Sequence, residues 1–376
     1  MNHRVVWTAA IALLAGAPSH AQTFRAAAGA FAVETFARGL VYPWSLAFLP
    51  DGRMLVTEKP GRMRIVSRDG QLSPPLAGVP GVYSNGQPGL LDVILDRDFA
   101  GSRTIYFCYS VNRGGTAAIA RARLNDGEAP RLDDVKVIFT QEGPGGSNNY
   151  GCRIVQAPDG NLFVTLGDHF EQRNEAQNLG NHLGKIIRIR PDGSAPPDNP
   201  FVGRPGAKPE IWAYGSRNAQ GLAFNPADGK LWEQEHGPRG GDEVNIIEKG
   251  KNYGWPVIGY GVDYSGAKIH ESTHKPGMEQ PLWHWVPSIA PSGMAFYTGD
   301  LFPQWKGNLF IGALRAQLLV RLELDGDKVV KEERLLQGLS ERIRDVRMGP
   351  DGALWLLTDN SAGRILRLVP MNPRGG

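Results

Sequence analysis

The segment from residue 214 to residue 256 holds the densest group of residues that could do chemistry. Arg217 and Asn218 stand side by side there, and a guanidinium fork beside an amide suits an anionic or quinonoid oxygen. Residues 235–245 combine acids with several glycines, and carboxylates together with exposed backbone carbonyls are the ligands that Ca²⁺ prefers. A surface loop with solvated acids would have the same composition, so a calcium site and an ordinary loop both remain open.

Arg342 and Arg344 form a second basic cluster, with Asp345 beside them. Residues two apart on a strand project to the same face, so the two arginines could bind one ligand that has several carboxylates. The alternative is a solvent-facing strand on which Asp345 compensates the positive charges.

Short strands that follow a repeated turn would position these residues. An Asp-Gly pair between apolar runs is a strong hairpin signal, and a strand-like run follows each pair. Clear copies lie at residues 50–52, 158–160, 227–229 and 350–352, and weaker ones begin near residues 101 and 306. Six copies predict an all-β fold, a six-bladed β-propeller with long inter-strand loops, in which the last strands close the ring against the first. A sandwich or a solenoid is the structural alternative.

Each copy ends on a polar or charged residue six to eight positions after its turn glycine. In a propeller, these ends would gather at one mouth of the central channel, which makes that mouth the expected site. The residues at these ends are Glu58, Asp168, Glu235 with His236, Arg315 and Asp359.

The first 21 residues have the features of a cleaved signal peptide. Arg4 is followed by an apolar run at residues 5–15, and Ser19-His20-Ala21 has the small-x-small pattern of a cleavage site. The apolar run is shorter than the roughly 20 residues that a membrane span needs. We therefore expect export to a bacterial periplasm or beyond, no membrane span, and a single propeller domain over residues 22–376.

The composition excludes some classes of function. The chain has 41 Lys+Arg against 38 Asp+Glu, and a net charge of +3 gives no electrostatic basis for binding nucleic acid. The 48 Gly and 28 Pro indicate a loop-rich protein. Cys108 and Cys152 lack the spacing of a metal site, and either one disulfide or two buried thiols would fit an exported protein.

Several of these segments together resemble the soluble PQQ-dependent aldose sugar dehydrogenases, the glucose/sorbosone dehydrogenase-type propellers. The resemblance runs from about residue 39 to residue 368. It implies a six-bladed propeller, monomeric or homodimeric, that holds pyrroloquinoline quinone (PQQ) and Ca²⁺. Such a protein oxidises an aldose sugar at C1 to a lactone and passes the electrons to an external acceptor. The segments that carry the resemblance are residues 86–92, 167–168, 214–222, 236–245, 252–256, 310–315 and 342–345.

The resemblance also implies roles for individual residues in cofactor binding. Arg315 stands where family members usually carry a lysine on PQQ, so a planar fork replaces a point charge there. Arg217 is expected among the catalytic residues as well as at the cofactor. The other implied PQQ contacts are Gln87, Asn218, Tyr264, Arg342 and Arg344.

Two calcium positions follow from the same resemblance. The backbone carbonyls of Gly237 and Pro238 would face the cofactor-bound ion. Glu243 and Tyr253 match positions that hold a structural ion.

Asn149 is the main departure from the family. The family motif places a histidine four residues before the arginine that matches Arg153, and Asn149 stands there instead. In the family mechanism, this histidine removes the proton from the anomeric hydroxyl, and the carboxylate at the position of Asp168 supports it. An amide can hydrogen-bond a hydroxyl but cannot act as a general base near neutral pH. General acid–base catalysis, which the amide would not supply, contributes roughly 10²- to 10⁴-fold in rate.

Three explanations of Asn149 remain open. A neighbour such as His169, His236 or Asp168 could take the proton, although a strand position beside Asp168 would point His169 to the opposite face. The protein could be a slow or altered-substrate enzyme. It could also be an inactive propeller that still binds PQQ or sugar. A calcium-dependent lactone hydrolase is a further alternative. Arg217, Arg342 and Arg344 argue against it, because a metal-activated water needs no pocket for a quinone that carries carboxylates.

Overall fold

The computed structural model describes residues 21–111 and 115–371, and nearly all of its regular structure is β. Residues 1–20, which hold most of the predicted signal peptide, lie outside the described residues. None of the helices in the described ranges is long and apolar enough to cross a membrane.

The N-terminal strands lead into a ring of sheets. β1 (Gln22–Ala26) and β2 (Gly29–Leu40) pair as an antiparallel hairpin. The first sheet of the ring then has three antiparallel strands, β3 (Pro43–Phe48), β4 (Met54–Glu58) and β5 (Arg62–Val66). The predicted turn at residues 50–52 connects β3 to β4.

The next four sheets contain four antiparallel strands each, in chain order. The second consists of β6 (Leu90–Leu95), β7 (Thr104–Val111), β8 (Thr116–Asn125) and β9 (Arg131–Thr140), with the short helix α1 (Phe99–Ser102) after β6. The third consists of β10 (Gly151–Gln156), β11 (Leu162–Leu166), β12 (Lys185–Ile189) and β13 (Ile211–Tyr214). The fourth consists of β14 (Ala219–Phe224), β15 (Leu231–Glu235), β16 (Asp242–Ile247) and β17 (Trp283–Trp285). The fifth consists of β18 (Pro291–Phe296), β19 (Leu309–Ala313), β20 (Leu318–Asp325) and β21 (Lys328–Leu335). Short 3₁₀ turns cover Arg173–Gln177 and Pro303–Trp305.

The sixth sheet joins the two ends of the chain. β22 (Ile343–Met348), β23 (Leu354–Thr358) and β24 (Gly363–Pro370) continue into β2 in the order β1-β2-β24-β23-β22. Val33 lies opposite Leu368 in the β2–β24 pair. The innermost strands of neighbouring sheets contact one another around the ring, including β22 with β3. The predicted six-bladed propeller and its closure are therefore confirmed.

The core lies between neighbouring blades, where apolar side chains of facing sheets interleave. The cluster between the fifth and sixth blades, for example, packs Phe310 and Leu319 against Leu356 and Leu366, all almost fully buried. Cys108 on β7 and Cys152 on β10 form a disulfide between the second and third blades, with Cα atoms 5.8 Å apart. Of the two possibilities for the cysteines, the structure thus has the disulfide.

Candidate functional site

A cavity of about 280 Å³, called the first cavity below, lies where the second strands of several blades end. Lys59 follows β4, His236 follows β15, Leu314 follows β19 and Asp359 follows β23, and all four line this cavity. Of the residues expected at one mouth, His236 and Asp359 line this cavity, whereas Glu58, Asp168, Glu235 and Arg315 do not; Lys59 and Leu314 line it in place of their neighbours Glu58 and Arg315. Also in its wall are Trp44, Gln87, Leu91, Tyr150, Asn218, Gln220, Ala290, Arg342 and Arg344.

The first cavity carries positive charge. Lys59, Arg342 and Arg344 line it against a single carboxylate, that of Asp359. Arg342 and Arg344 each place a terminal nitrogen near Asp359 Oδ2, at 3.0 and 3.2 Å, so this one carboxylate compensates only part of their charge. Within the described ranges, the buried Nε of Arg344 has no hydrogen-bond partner. A cavity with these properties suits an anion with several carboxylates.

Asn149 is held in place from two sides. Its backbone N–H donates to Gln87 Oε1 at 2.7 Å, and its side-chain Nδ2 donates to Asp168 Oδ1 at 2.9 Å. Its φ of 52° lies in the left-handed region, which asparagine adopts more readily than most residues. Gly151 and Cys152 also have positive φ, and the disulfide anchors the end of this irregular segment.

Asp168 is fully buried, and both of its carboxylate oxygens are engaged. Besides Asn149, Oδ1 accepts from the backbone N–H of Phe170 at 2.7 Å. Oδ2 accepts from Trp255 Nε1 at 2.7 Å. The structure therefore brings Asn149 and Asp168, the residues expected at the base and supporting-acid positions, into direct contact, but it leaves Asp168 without exposed surface.

Among the described residues, His169 makes no hydrogen bond to the carboxylate of Asp168, and the reason expected from the sequence is wrong. β11 ends at Leu166, so His169 is not on a strand and alternation of strand faces does not apply. Its φ of 55° turns the chain, and its Nδ1 lies 2.9 Å from the carbonyl of Pro144. Burial also lowers the pKa of His169, which weakens it further as a proton acceptor.

His236 is a poor proton acceptor in this environment. Burial, reinforced by nearby guanidinium groups, lowers the pKa of His236 to about 3. Its Nε2 is hydrogen-bonded to the carbonyl of Pro291, and since a carbonyl only accepts, Nε2 must carry the proton. His236 is thus a neutral wall of the first cavity near neutral pH.

Arg217 and Asn218 are anchored by one buried acid. Their backbone N–H groups both donate to Glu235 Oε2, that of Asn218 at 3.2 Å. The guanidinium of Arg217 donates to the carbonyls of His236 and Gly237 at 3.0 and 2.8 Å. The Oδ1 of Asn218 accepts from the backbone N–H of residue 151 at 3.1 Å.

All four predicted calcium-binding residues, Gly237, Pro238, Glu243 and Tyr253, line one small cavity together with Glu235. Its volume of about 10 Å³ corresponds to about one water or one ion. No Cβ fits at Gly237, because it would lie 2.3 Å from the backbone of residue 241. The phenol of Tyr253 donates to the carbonyl of Ile246 at 2.6 Å, which leaves its backbone carbonyl as the possible ligand.

The two acids of the small cavity suit a bound cation. Glu235 and Glu243 lie directly opposite each other on β15 and β16, and like charges in such a pair are destabilising. Burial raises the pKa of Glu235 to about 7 and that of Glu243 well above its ordinary value. Among the described residues, no three His, Cys, Asp or Glu side chains cluster as metal ligands, so an ion here would need carbonyl oxygens as well.

Tyr264 lies apart from the first cavity. It lines a second cavity of about 280 Å³, which shares Arg217, Pro238 and Trp255 with the small cavity. The side chain of Tyr264 is 58% exposed and stacks against Phe170 at 6.1 Å between ring centres. The predicted PQQ contacts therefore divide between two cavities that share no lining residue, with Gln87, Asn218, Arg342 and Arg344 together in the first.

Arg315 lies outside the first cavity. It is exposed in the turn that follows β19, where its backbone N–H donates to Ile289 at 3.1 Å and Leu314 lines the cavity instead. Conversely, Lys59 and Trp44 line the cavity although sequence analysis assigned them no role. The rule that second strands end at one mouth could have found Lys59, since it directly follows Glu58 at the end of β4.

Comparison with known proteins identifies the family. A sequence profile described as Glucose / Sorbosone dehydrogenase matches residues 40–367. Aldose sugar dehydrogenase YliI from Escherichia coli K12 is 47% identical over 347 residues, which cover 90% of this chain and 93% of the relative. The chain belongs to the glucose/sorbosone dehydrogenase family.

Solved structures agree with this family membership. A glucose dehydrogenase crystal structure matches with a TM-score of 0.88 at 50% identity, covering 90% of this chain and 99% of that one. The PQQ-bound aldose sugar dehydrogenase of Streptomyces coelicolor matches with a TM-score of 0.77 at 30% identity, covering 90% and 98%. The resemblance found in the sequence is confirmed, and these relatives support an oxidoreductase that acts on sugars.

Proposed function

We propose that this protein is a PQQ- and Ca²⁺-dependent aldose dehydrogenase that oxidises the C1 hydroxyl of a sugar to a lactone. Electrons then pass to an external acceptor, and the protein is exported to the periplasm or beyond. The observation that carries the proposal is the positively charged cavity in which Gln87, Asn218, Arg342 and Arg344 come together. The family relatives, one of them solved with PQQ bound, support the same ligand.

The residues present fit both groups. The partnerless Nε of Arg344 and the excess of cations suit the carboxylates of PQQ. The facing Glu235 and Glu243 suit a structural Ca²⁺, and the carbonyls of Gly237 and Pro238 would face the Ca²⁺ that is bound with the cofactor. When bound, PQQ accepts a hydride from C1 of the sugar, and Ca²⁺ polarises the accepting carbonyl as a Lewis acid.

Asn149 would orient the sugar rather than deprotonate it. Asp168 accepts hydrogen bonds at both of its carboxylate oxygens, and Nδ2 of Asn149 is one of the donors. The Oδ1 of Asn149 is then the atom that can accept a hydrogen bond from the C1 hydroxyl. Because the amide cannot take the proton and Asp168 is fully buried, we propose slow turnover in which water takes the proton.

A second candidate function is the PQQ-binding form of the inactive propeller. The contact between Asn149 and Asp168 favours it, since this pair occupies the position of the family's base and its supporting acid. The first cavity would serve a binding protein equally well. The dehydrogenase and the inactive propeller would bind the same ligand, PQQ, and would differ only in whether they oxidise sugar.

One experiment separates the candidates. The protein is stripped with a chelator and reloaded with PQQ and Ca²⁺, cofactor uptake is followed by absorbance, and dye reduction is measured with several aldoses. Uptake followed by aldose-dependent dye reduction supports the dehydrogenase. Uptake without reduction favours the binding protein, whereas no uptake contradicts both.

A further inference from the structure

Lys59 links two parts of the first cavity. It directly follows β4, and its Nζ donates to the carbonyl of Gly86 at 2.9 Å, next to the predicted cofactor contact Gln87. Its own carbonyl accepts from the N–H of Leu90 at 3.0 Å. Lys59 therefore contacts the chain on both sides of Gln87, at Gly86 and at Leu90.

The loop is built closely around this lysine. A Cβ at Gly89 would lie 2.4 Å from both Cγ and the carbonyl oxygen of Lys59, so only glycine allows this packing. On another side, Nζ lies 5.2 Å from the centre of the Tyr42 ring, within the range of a cation–π contact. These contacts restrict the ammonium to one region of the cavity wall.

The ammonium of Lys59 adds to a local excess of positive charge. Burial lowers the pKa of Lys59. The negative charge of Asp359 raises this pKa, and the positive charges of Arg344 and Arg342 lower it further. Asp359 is already paired with both arginines. Among the described residues, Nζ makes one hydrogen bond, so two of its three N–H donors are available to an anion in the cavity.

Arg315 does not occupy the place that the family resemblance gives it. That position holds a PQQ-binding lysine in the family, yet here it holds an arginine that is exposed and outside the lining of the first cavity. A lysine from a different blade, Lys59, lies inside the cavity instead.

We propose that Lys59 binds a carboxylate of PQQ, in the role that the resemblance gives to Arg315. The inference rests on the proposed function, because PQQ is the ligand. PQQ carries three carboxylates, and Lys59, Arg342 and Arg344 provide three cations in one cavity. A charge-assisted hydrogen bond in a partly buried site makes a large contribution to binding.

The test compares Lys59→Gln with Arg315→Gln as a matched control, because each removes one positive charge. PQQ binding to calcium-loaded protein is measured without sugar, by equilibrium dialysis, across a range of pH. Lys59→Gln should weaken PQQ binding about tenfold or more, and Arg315→Gln should leave it nearly unchanged. Wild-type affinity should also fall as alkaline pH deprotonates Lys59, and Lys59→Gln should remove this dependence.

Two results would overturn the inference while leaving the proposed function intact. One is a Lys59→Gln variant whose PQQ affinity and pH dependence equal those of wild type. The other is an Arg315→Gln variant whose PQQ affinity falls as much as that of Lys59→Gln. A wild-type protein that takes up no PQQ would overturn the proposed function itself. Unchanged melting temperatures of both variants exclude misfolding as the cause of a weaker affinity.

Discussion

The side-chain amide of Asn149 donates a hydrogen bond to the carboxylate of Asp168 across 2.9 Å, and both side chains are buried. Trp255 and the backbone of Phe170 donate to the same carboxylate, so its position is fixed from several directions. A base placed at residue 149 would therefore meet a supporting acid that is already oriented. In the proposed mechanism, the protein keeps this support but has an amide at the position where the family resemblance implies the proton acceptor.

Asn149→His should raise kcat of the PQQ-loaded protein about 10²- to 10⁴-fold, because an imidazole supported by Asp168 can take the hydroxyl proton. Steady-state dye reduction with a saturating aldose measures the change. Asn149→Gln is the matched control, since it keeps an amide and should give no gain. Adding Asp168→Asn to the histidine variant should remove most of the gain. Equal turnover of Asn149→His and wild type would show that the proton leaves by another route.

Arg344→Gln should weaken PQQ binding by about tenfold or more, because it removes a mostly buried cation from the first cavity. The dependence of affinity on salt concentration should also become less steep. Equilibrium dialysis at several salt concentrations measures both quantities. Arg38→Gln, at an exposed position on β2, is a control that should change neither. If Arg344→Gln binds PQQ as wild type does, the cofactor does not occupy the first cavity.

Calcium should stabilise the fold through the small cavity between Glu235 and Glu243. At about 100 times its dissociation constant, Ca²⁺ should add about 2.7 kcal/mol to the free energy of unfolding, and chelation should remove it. Glu243→Gln should lose this response. The substitution removes a carboxylate ligand of the ion, and it also removes the negative charge that faces Glu235. Glu248→Gln, which changes an exposed acid just after the same strand, should keep it. Thermal unfolding with and without Ca²⁺ measures the effect, and a full response in Glu243→Gln would place the ion elsewhere.

The Cys108–Cys152 disulfide should stabilise the protein by about 2–4 kcal/mol, because it closes a long loop between two blades. The double variant Cys108→Ala, Cys152→Ala should therefore unfold at a lower urea concentration than wild type. Addition of a reductant should lower the wild-type midpoint and leave that of the double variant unchanged. Identical midpoints for the oxidised wild type and the variant would show that the bond adds no net stability.

The blade architecture could be read from the sequence because each blade repeats the same local signal. The Asp-Gly turns at residues 50–52 and 350–352 each connect the first two strands of a blade, as predicted. Closure of the ring could be predicted as well, because the first and last strands of the chain must pair to close a propeller. β2 does pair with β24.

The positions of individual side chains at the mouth were harder to predict, because they depend on where each strand stops and how the next turn bends. β11 ends at Leu166, so strand alternation gave the wrong reason for the orientation of His169. Leu314 lines the first cavity while its neighbour Arg315 is exposed, a difference of one residue in a turn. Whether Tyr264 lines the first or the second cavity likewise depends on long-range packing.

The central claim, that the protein oxidises aldoses at C1 with PQQ, is tested most directly by the product. Wild type and Asn149→His, each loaded with PQQ and Ca²⁺, are incubated with glucose and an excess of dye, and the carbon product is identified by NMR. With a dye that takes two electrons, we expect the C1 lactone in an amount equal to the dye reduced, slowly with wild type and faster with the variant, and none without PQQ. Absence of the lactone with both loaded proteins would contradict the claim.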